Sequence, residues 1–193
     1  MEKLDAVKQA IDQANSQDPS MIIFQGKNQP SEWVYSQRMA TCLNRFVPNA
    51  SAPLAIAVYG QHIKRWQIPR SDYPEGKVGY HNWRNHLKAF HSQEVTKIME
   101  QQGYDKGDTD RVEAIMSKRL LGKGDTECQS FEDVICLVFL ESYLGAFAEK
   151  HPEDKVIPII QKTWKKMSPR AQEMALALKL GTAEQELIRK SLM

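Results

Sequence analysis

An all-α fold follows from two features of the sequence. Apolar residues recur at helical spacing along nearly the whole chain, and strand-like alternation is almost absent. Pro, Gly and Asn clusters then cut the pattern into about seven to eight helices. At 193 residues, with 41% hydrophobic and 26% charged residues, the chain suits one soluble globular domain able to bury a core without staples.

The first helix is expected over about 3–16, with Leu4, Val7 and Ile11 on one face. A polar connection, "SQDPSMIIFQGKNQPS", follows. Its "MIIF" has strand composition but is too short to build a sheet. The second helix starts near Glu32 and runs to about Phe46, where "VPNASAP" stops it. Pro53 fits the first turn of the third helix, because its missing N–H has no partner to lose there. The third helix is expected to end near Trp66, and "QIPRSDYPEGKVG" reads as a loop.

A long helix spans about 79–102, closed by Gly103, and the next runs from an Asp108 or Thr109 cap to Gly122. "SFEDVICLVFLESYLGAFAEKH" is the most apolar helix, and its all-round apolar residues 134–140 mark a central position. Helices at about 153–166, 169–180 and 182–191 complete the chain, with Pro158 kinking the first of them. The core is thus expected within about 30–150, and the C-terminal helices pack on it.

Several features narrow the function classes. A net charge of +2 is too near neutral to argue for nucleic acid. No apolar run reaches the ~18 residues of a spanning helix, so no membrane partner is expected. The N-terminus carries acidic residues and no apolar signal core. Cys42, Cys128 and Cys136 have no CxxC spacing and read as reduced thiols, which suits the cytoplasm. Gly-rich nucleotide loops, GxSxG and HExxH are missing. "HIKR" and "KMSPR" faintly echo two signatures of class I tRNA synthetases, but both need a parallel sheet that this chain has no strands to make.

The polar residues that stand out lie on apolar borders. On the third helix His62 shares a face with Ala55, Val58, Tyr59 and Arg65. On the long helix His81, Arg84, Lys88 and His91 fall within roughly 80° of one another. Trp83, Leu87 and Phe90 lie beside them. Asp133 sits on the face of Gln129, Cys136, Leu137 and Leu140, where a carboxylate needs a cation, a metal or donors. Each has a structural counterpart. His62 reads equally as a satisfied structural histidine, Asp133 as a buried partner of Arg38 or Lys118, and the cationic stripe as a solvated face. Residues 61–91 carry six Lys/Arg against two acids, which suits a small anionic ligand.

"YSQRM", "QHIKRWQIPRSDYPEGKVGYHNWR", "KRLLGKGDTECQSFEDVICLVFLE" and "KTWKKMS" resemble, in order and over about residues 3–178, the domain-of-unknown-function family 4202. Members are often labelled glutamyl-tRNA synthetase, a label that the missing sheet argues against. The order of polar residues is also similar to that of HD-domain phosphohydrolases, helical proteins that hold one or two divalent metals. That resemblance implies an HD-domain-like helical fold. It places His62 at the histidine of the HD doublet, with Ile63 where the aspartate belongs. It places His91 at a later histidine and Asp133 at the closing aspartate, while Arg38 and Lys118 occupy other ligand slots.

Two readings of that site follow. In one, His62, His91 and Asp133 hold one divalent transition metal. In the other, Arg38, Arg65, Arg70, Arg84 and Lys118 clamp a phosphate, and His62 or His91 acts as general acid or base. Glu132 and Asp125 are carboxylates able to orient water, and Lys88 and Gln129 are further ligand contacts. The expected activity is that of a phosphohydrolase or phosphate-ester lyase on a small phosphorylated or nucleotide substrate. The alternatives are a non-catalytic module that binds an anionic metabolite and, third, an RNA- or tRNA-binding protein.

Overall fold

In the computed structural model of the protein, which describes residues 2–193, helix α1 (Glu2–Asn15) buries Val7 and Ile11 as the spacing predicts. The connection after it is more ordered than expected. Met21–Phe24 (β1) pairs antiparallel with Lys27–Pro30 (β2), in register from Met21↔Pro30 to Phe24↔Lys27. Gln25 and Gly26 both have positive φ, 50° and 75°, the twist that a two-residue hairpin turn needs. Period-2 alternation could not reveal this hairpin, because β2 is polar on both faces. Asp18 fastens it: one carboxylate oxygen accepts from the Ser20 N–H and the other from the Glu32 N–H, both at 2.9 Å. That second bond serves the first turn of α2 (Ser31–Phe46), whose cap residue Pro30 makes no side-chain cap bond.

Helix α3 (Ala52–Tyr59) starts as predicted, with Ser51 accepting from the Leu54 N–H and Pro53 in the first turn. It ends well before Trp66, at Gly60. A Cβ on residue 60 would lie 2.3 Å from Val95 Cγ2 of the long helix α4 (Gly76–Gln101), so close backbone approach demands glycine here. The chain then leaves the helix in a tight turn and two 3-10 turns, Arg65–Gln67 and Arg70–Asp72.

Helix α5 (Lys106–Met116) is capped by Asp105, which accepts from the Asp108 N–H, and it stops before Gly122. Its end repeats that of α4 with one difference. At the end of α4, Gly103 takes φ 73° and the Tyr104 N–H reaches back to the Met99 carbonyl. At the end of α5 the Arg119 N–H reaches back to the Ala114 carbonyl in the same way, but the left-handed residue is Lys118, φ 58°. A lysine in a glycine position costs about 1 kcal/mol. Its side chain therefore needs another reason to be there.

The contacts divide the chain into two compact units, one ending at Cys128 and the other running from Gln129 to Met193. In the first, α3 is the packing centre and touches α1, α2, α4 and α5. Its Leu54, Ile56, Ala57, Val58 and Tyr59 are all buried. The second unit takes most of α6 (Thr126–Ser142), then α7 (Leu144–Ala148), α8 (Glu153–Trp164, running through Pro158), α9 (Pro169–Leu176) and α10 (Thr182–Leu192). Here α10 packs on α7 and α8, and Lys190 pairs with Glu153 at 2.9 Å. Among the described residues, no helix is long and apolar enough to cross a membrane.

Candidate functional site

The turn after α3 explains the mixed string "QHIKR". Ile63 is fully buried and pins the turn, with its N–H bonded to the Gly60 carbonyl. Lys64 adopts φ 50°, its N–H donates to Asn15 Oδ1 and its ammonium meets Glu94 at 2.5 Å. With Ile63 and Lys64 fixed from both sides, Gln61, His62 and Arg65 are held as a rigid group. His62 therefore sits on a clamped turn rather than on the end of a long helix.

Around His62 the first unit gathers residues from α2, α4 and the turn after α5. Tyr35 stacks on the imidazole, with ring centroids 3.8 Å apart and planes at 15°. Glu32 Oε2 lies 3.1 Å from Nδ1, which leaves Nε2 as the nitrogen available to a ligand. His91 lies 5.8 Å away, centroid to centroid. Arg65 lies over the Trp83 ring at 4.8 Å, and its Nε is 3.8 Å from Glu32 Oε1. The Trp83 indole is itself held by a 2.9 Å bond to the Ile68 carbonyl.

The electrostatics are unusual for a histidine bonded to a carboxylate. Burial, then Arg65, Arg84 and Lys118, hold His62 well below its ordinary pKa. His91 is also held well below, by burial, then by His62, Arg65 and Arg84, against a backbone hydrogen bond with Gln61. Burial pushes Glu32 up to about 7 in spite of Arg65. At neutral pH, two uncharged imidazoles thus face three cations, and burial holds back ionisation of the carboxylate beside them. Three buried polar atoms of this cluster have no hydrogen-bond partner: Gln61 Oε1, Arg65 Nη1 and His91 Nε2. Buried groups with shifted pKa values beside specific charges are a recurrent feature of functional sites.

Of the residues singled out from the sequence, His62, Arg65, Arg84, His91 and Lys118 are thus brought together. Others are committed elsewhere. Arg70 donates to the Tyr73 and Pro74 carbonyls and closes its own loop. Asp125 forms a two-bond pair with Arg111 and accepts from the Cys128 N–H at the start of α6. Arg38 lies over the Phe24 ring, and Lys88 lines a groove with Asn85, Ser92 and Glu113.

Asp133, Glu132 and Gln129 belong to the second unit. Asp133 is answered by donors rather than by a cation. Oδ1 accepts from the Ser168 N–H at 2.8 Å and from Gln129 Nε2 at 3.0 Å, and Oδ2 from the Ser168 hydroxyl at 2.7 Å. Ser168 is the N-cap of α9, so Asp133 anchors that helix start, and the "KMSPR" string is a capping sequence. Glu132 is buried, with Lys166 at 3.3 Å.

Among the described residues, no group of three or more His, Cys, Asp and Glu side chains is gathered as a metal ion requires. The charge beside His62 comes from guanidinium and ammonium groups, which repel a divalent ion. Sequence reasoning missed Glu32, Tyr35 and Gln61. The signal for the first two was present: Glu32, Tyr35, Ser36 and Met39 follow helical spacing, which puts a carboxylate in line with a buried stripe.

Comparison with known proteins adds one match. The model of a domain of unknown function (DUF4202) covers residues 5–188. No curated protein matches the chain, and no solved structure does.

Proposed function

We propose, from the premise that the chain belongs to the DUF4202 family, that it cleaves the phosphate ester of a small phosphorylated or nucleotide substrate. The observation that carries this reading is the uncharged, Glu32-oriented His62 set among Arg65, Arg84 and Lys118. The cations receive the phosphate oxygens, and Arg65 is held over the Trp83 ring, which restricts its fork. Anion binding also offsets the charge that keeps His62 uncharged and so raises the basicity of Nε2.

In the hydrolytic form, His62 Nε2 takes a proton from water as the water oxygen bonds to phosphorus. The ester P–O bond breaks, and the leaving oxygen takes its proton from the imidazolium so formed. The products are an alcohol and phosphate. Glu32 holds Nδ1 and stabilises the transient charge, as a carboxylate does in other histidine–carboxylate pairs.

A binding module without turnover is the second reading. It is favoured by the commitment of Asp133, the carboxylate aligned with the HD pattern, to Ser168 and Gln129. A screen of phosphate monoesters with wild type and His62→Ala separates the two. Product formation lost in a folded His62→Ala supports the enzyme. Saturable binding with no product installs the module. Metal content by mass spectrometry accompanies the screen, and one ion per chain, lost in His62→Ala, would transfer the phosphate-binding role to a metal.

A further inference from the structure

The unpartnered atoms around His62 differ in chemistry, and the difference specifies a ligand. Arg65 Nη1 can only donate and Gln61 Oε1 can only accept, whereas His91 Nε2 can do either. Buried polar atoms are rarely left unpaired in native proteins. Gln61 and Arg65 flank the turn that Ile63 anchors, Arg65 is pinned on Trp83, and His91 is 3% exposed. An oxyanion with acceptor atoms alone satisfies Arg65 and sets an oxygen against the Gln61 carbonyl. A ligand with an O–H beside its anionic oxygen satisfies both.

We infer that this site takes an oxyanion bearing an O–H donor on the same molecule, and that Gln61 reads that donor and discriminates against donor-free anions. The inference rests on the anion-binding reading above and adds a specificity residue to it. The donor is either a P–O–H of the phosphate or an alcohol of its ester, and the probes distinguish these sources. At pH 8 sulfate and methyl phosphate carry no O–H. Inorganic phosphate keeps one on phosphorus, and ribose 5-phosphate has them only on the sugar.

The test is calorimetric titration of these four anions into wild type and Gln61→Leu at pH 8, with melting temperatures as the check on folding. Gln61→Met is the substitute if the first variant does not fold. In wild type, at least one donor-bearing anion binds about tenfold or more tighter than sulfate and methyl phosphate, the scale of leaving a buried acceptor unpaired. Which one does so names the source. In Gln61→Leu that ratio falls to within about twofold, and sulfate binds no more weakly than to wild type. Equal binding of all four by wild type, or a ratio preserved in the variant, overturns the role of Gln61 and leaves the anion site standing. No binding of any probe by wild type overturns both.

Discussion

Replacing Glu32 by glutamine should stabilise the protein at alkaline pH, although Glu32 faces both His62 and Arg65. The sign follows from its pKa. Burial raises Glu32 from 4.5 to about 7 and outweighs the pull of Arg65, 3.8 Å away. A group whose pKa rises on folding contributes stability that is present below its unfolded value and lost as pH rises through its folded value. At about 1.4 kcal/mol per pH unit, the rise corresponds to about 3 kcal/mol lost between pH 4.5 and somewhat above pH 7. Both carboxylate and imidazole are 16% exposed, so some solvent screening reduces this to about 2 kcal/mol. Glutamine keeps the shape and a hydrogen bond to Nδ1 but never ionises. Urea unfolding of both proteins, followed by circular dichroism at pH 5 and pH 8, measures the effect. The curves should nearly coincide at pH 5, and the variant should be the more stable by about 2 kcal/mol at pH 8. A variant less stable than wild type at pH 8 would mean that the cations stabilise the Glu32 carboxylate outright. The account of a pocket whose positive charge awaits an external anion would then fail.

Other consequences follow from the same geometry. Lys118→Gly should raise stability by about 1 kcal/mol by relieving the left-handed strain and should weaken phosphate binding; a melting curve and a phosphate titration on the same sample test the opposed signs. Asp133→Ala removes three accepted hydrogen bonds and the anchor of α9, so a loss of about 2–4 kcal/mol is expected in denaturant unfolding. Unchanged stability would instead mean that these three bonds do not anchor α9. Gly60→Ala should cost about 1–3 kcal/mol by overpacking against Val95, and Val95→Ala in the same chain should recover at least about 1 kcal/mol of it in a double-mutant cycle.

What the sequence determined by itself was local. Periodicity, Pro53 in a first turn and Gly103 as a stop are short-range features, and they mark most of the helices observed, although the one expected over 130–151 is broken at Tyr143 into α6 and α7. His62, Arg65, Arg84 and His91 of the candidate site were also legible, because each borders an apolar face within its own segment, whereas Lys118 entered only as a partner for Asp133 and through the resemblance. Tertiary structure decided the rest. The end of α3 depends on Val95, thirty-five positions beyond Gly60, and the hairpin on a turn that left no alternation in β2. The orienting group of His62 is Glu32, thirty residues earlier, while the answer to Asp133 is Ser168, thirty-five residues later. A buried charge announces in sequence that it must be answered, since leaving it unpaired costs several kcal/mol. Which group answers it depends on which chain segments packing brings within hydrogen-bond reach, and no local pattern encodes that choice.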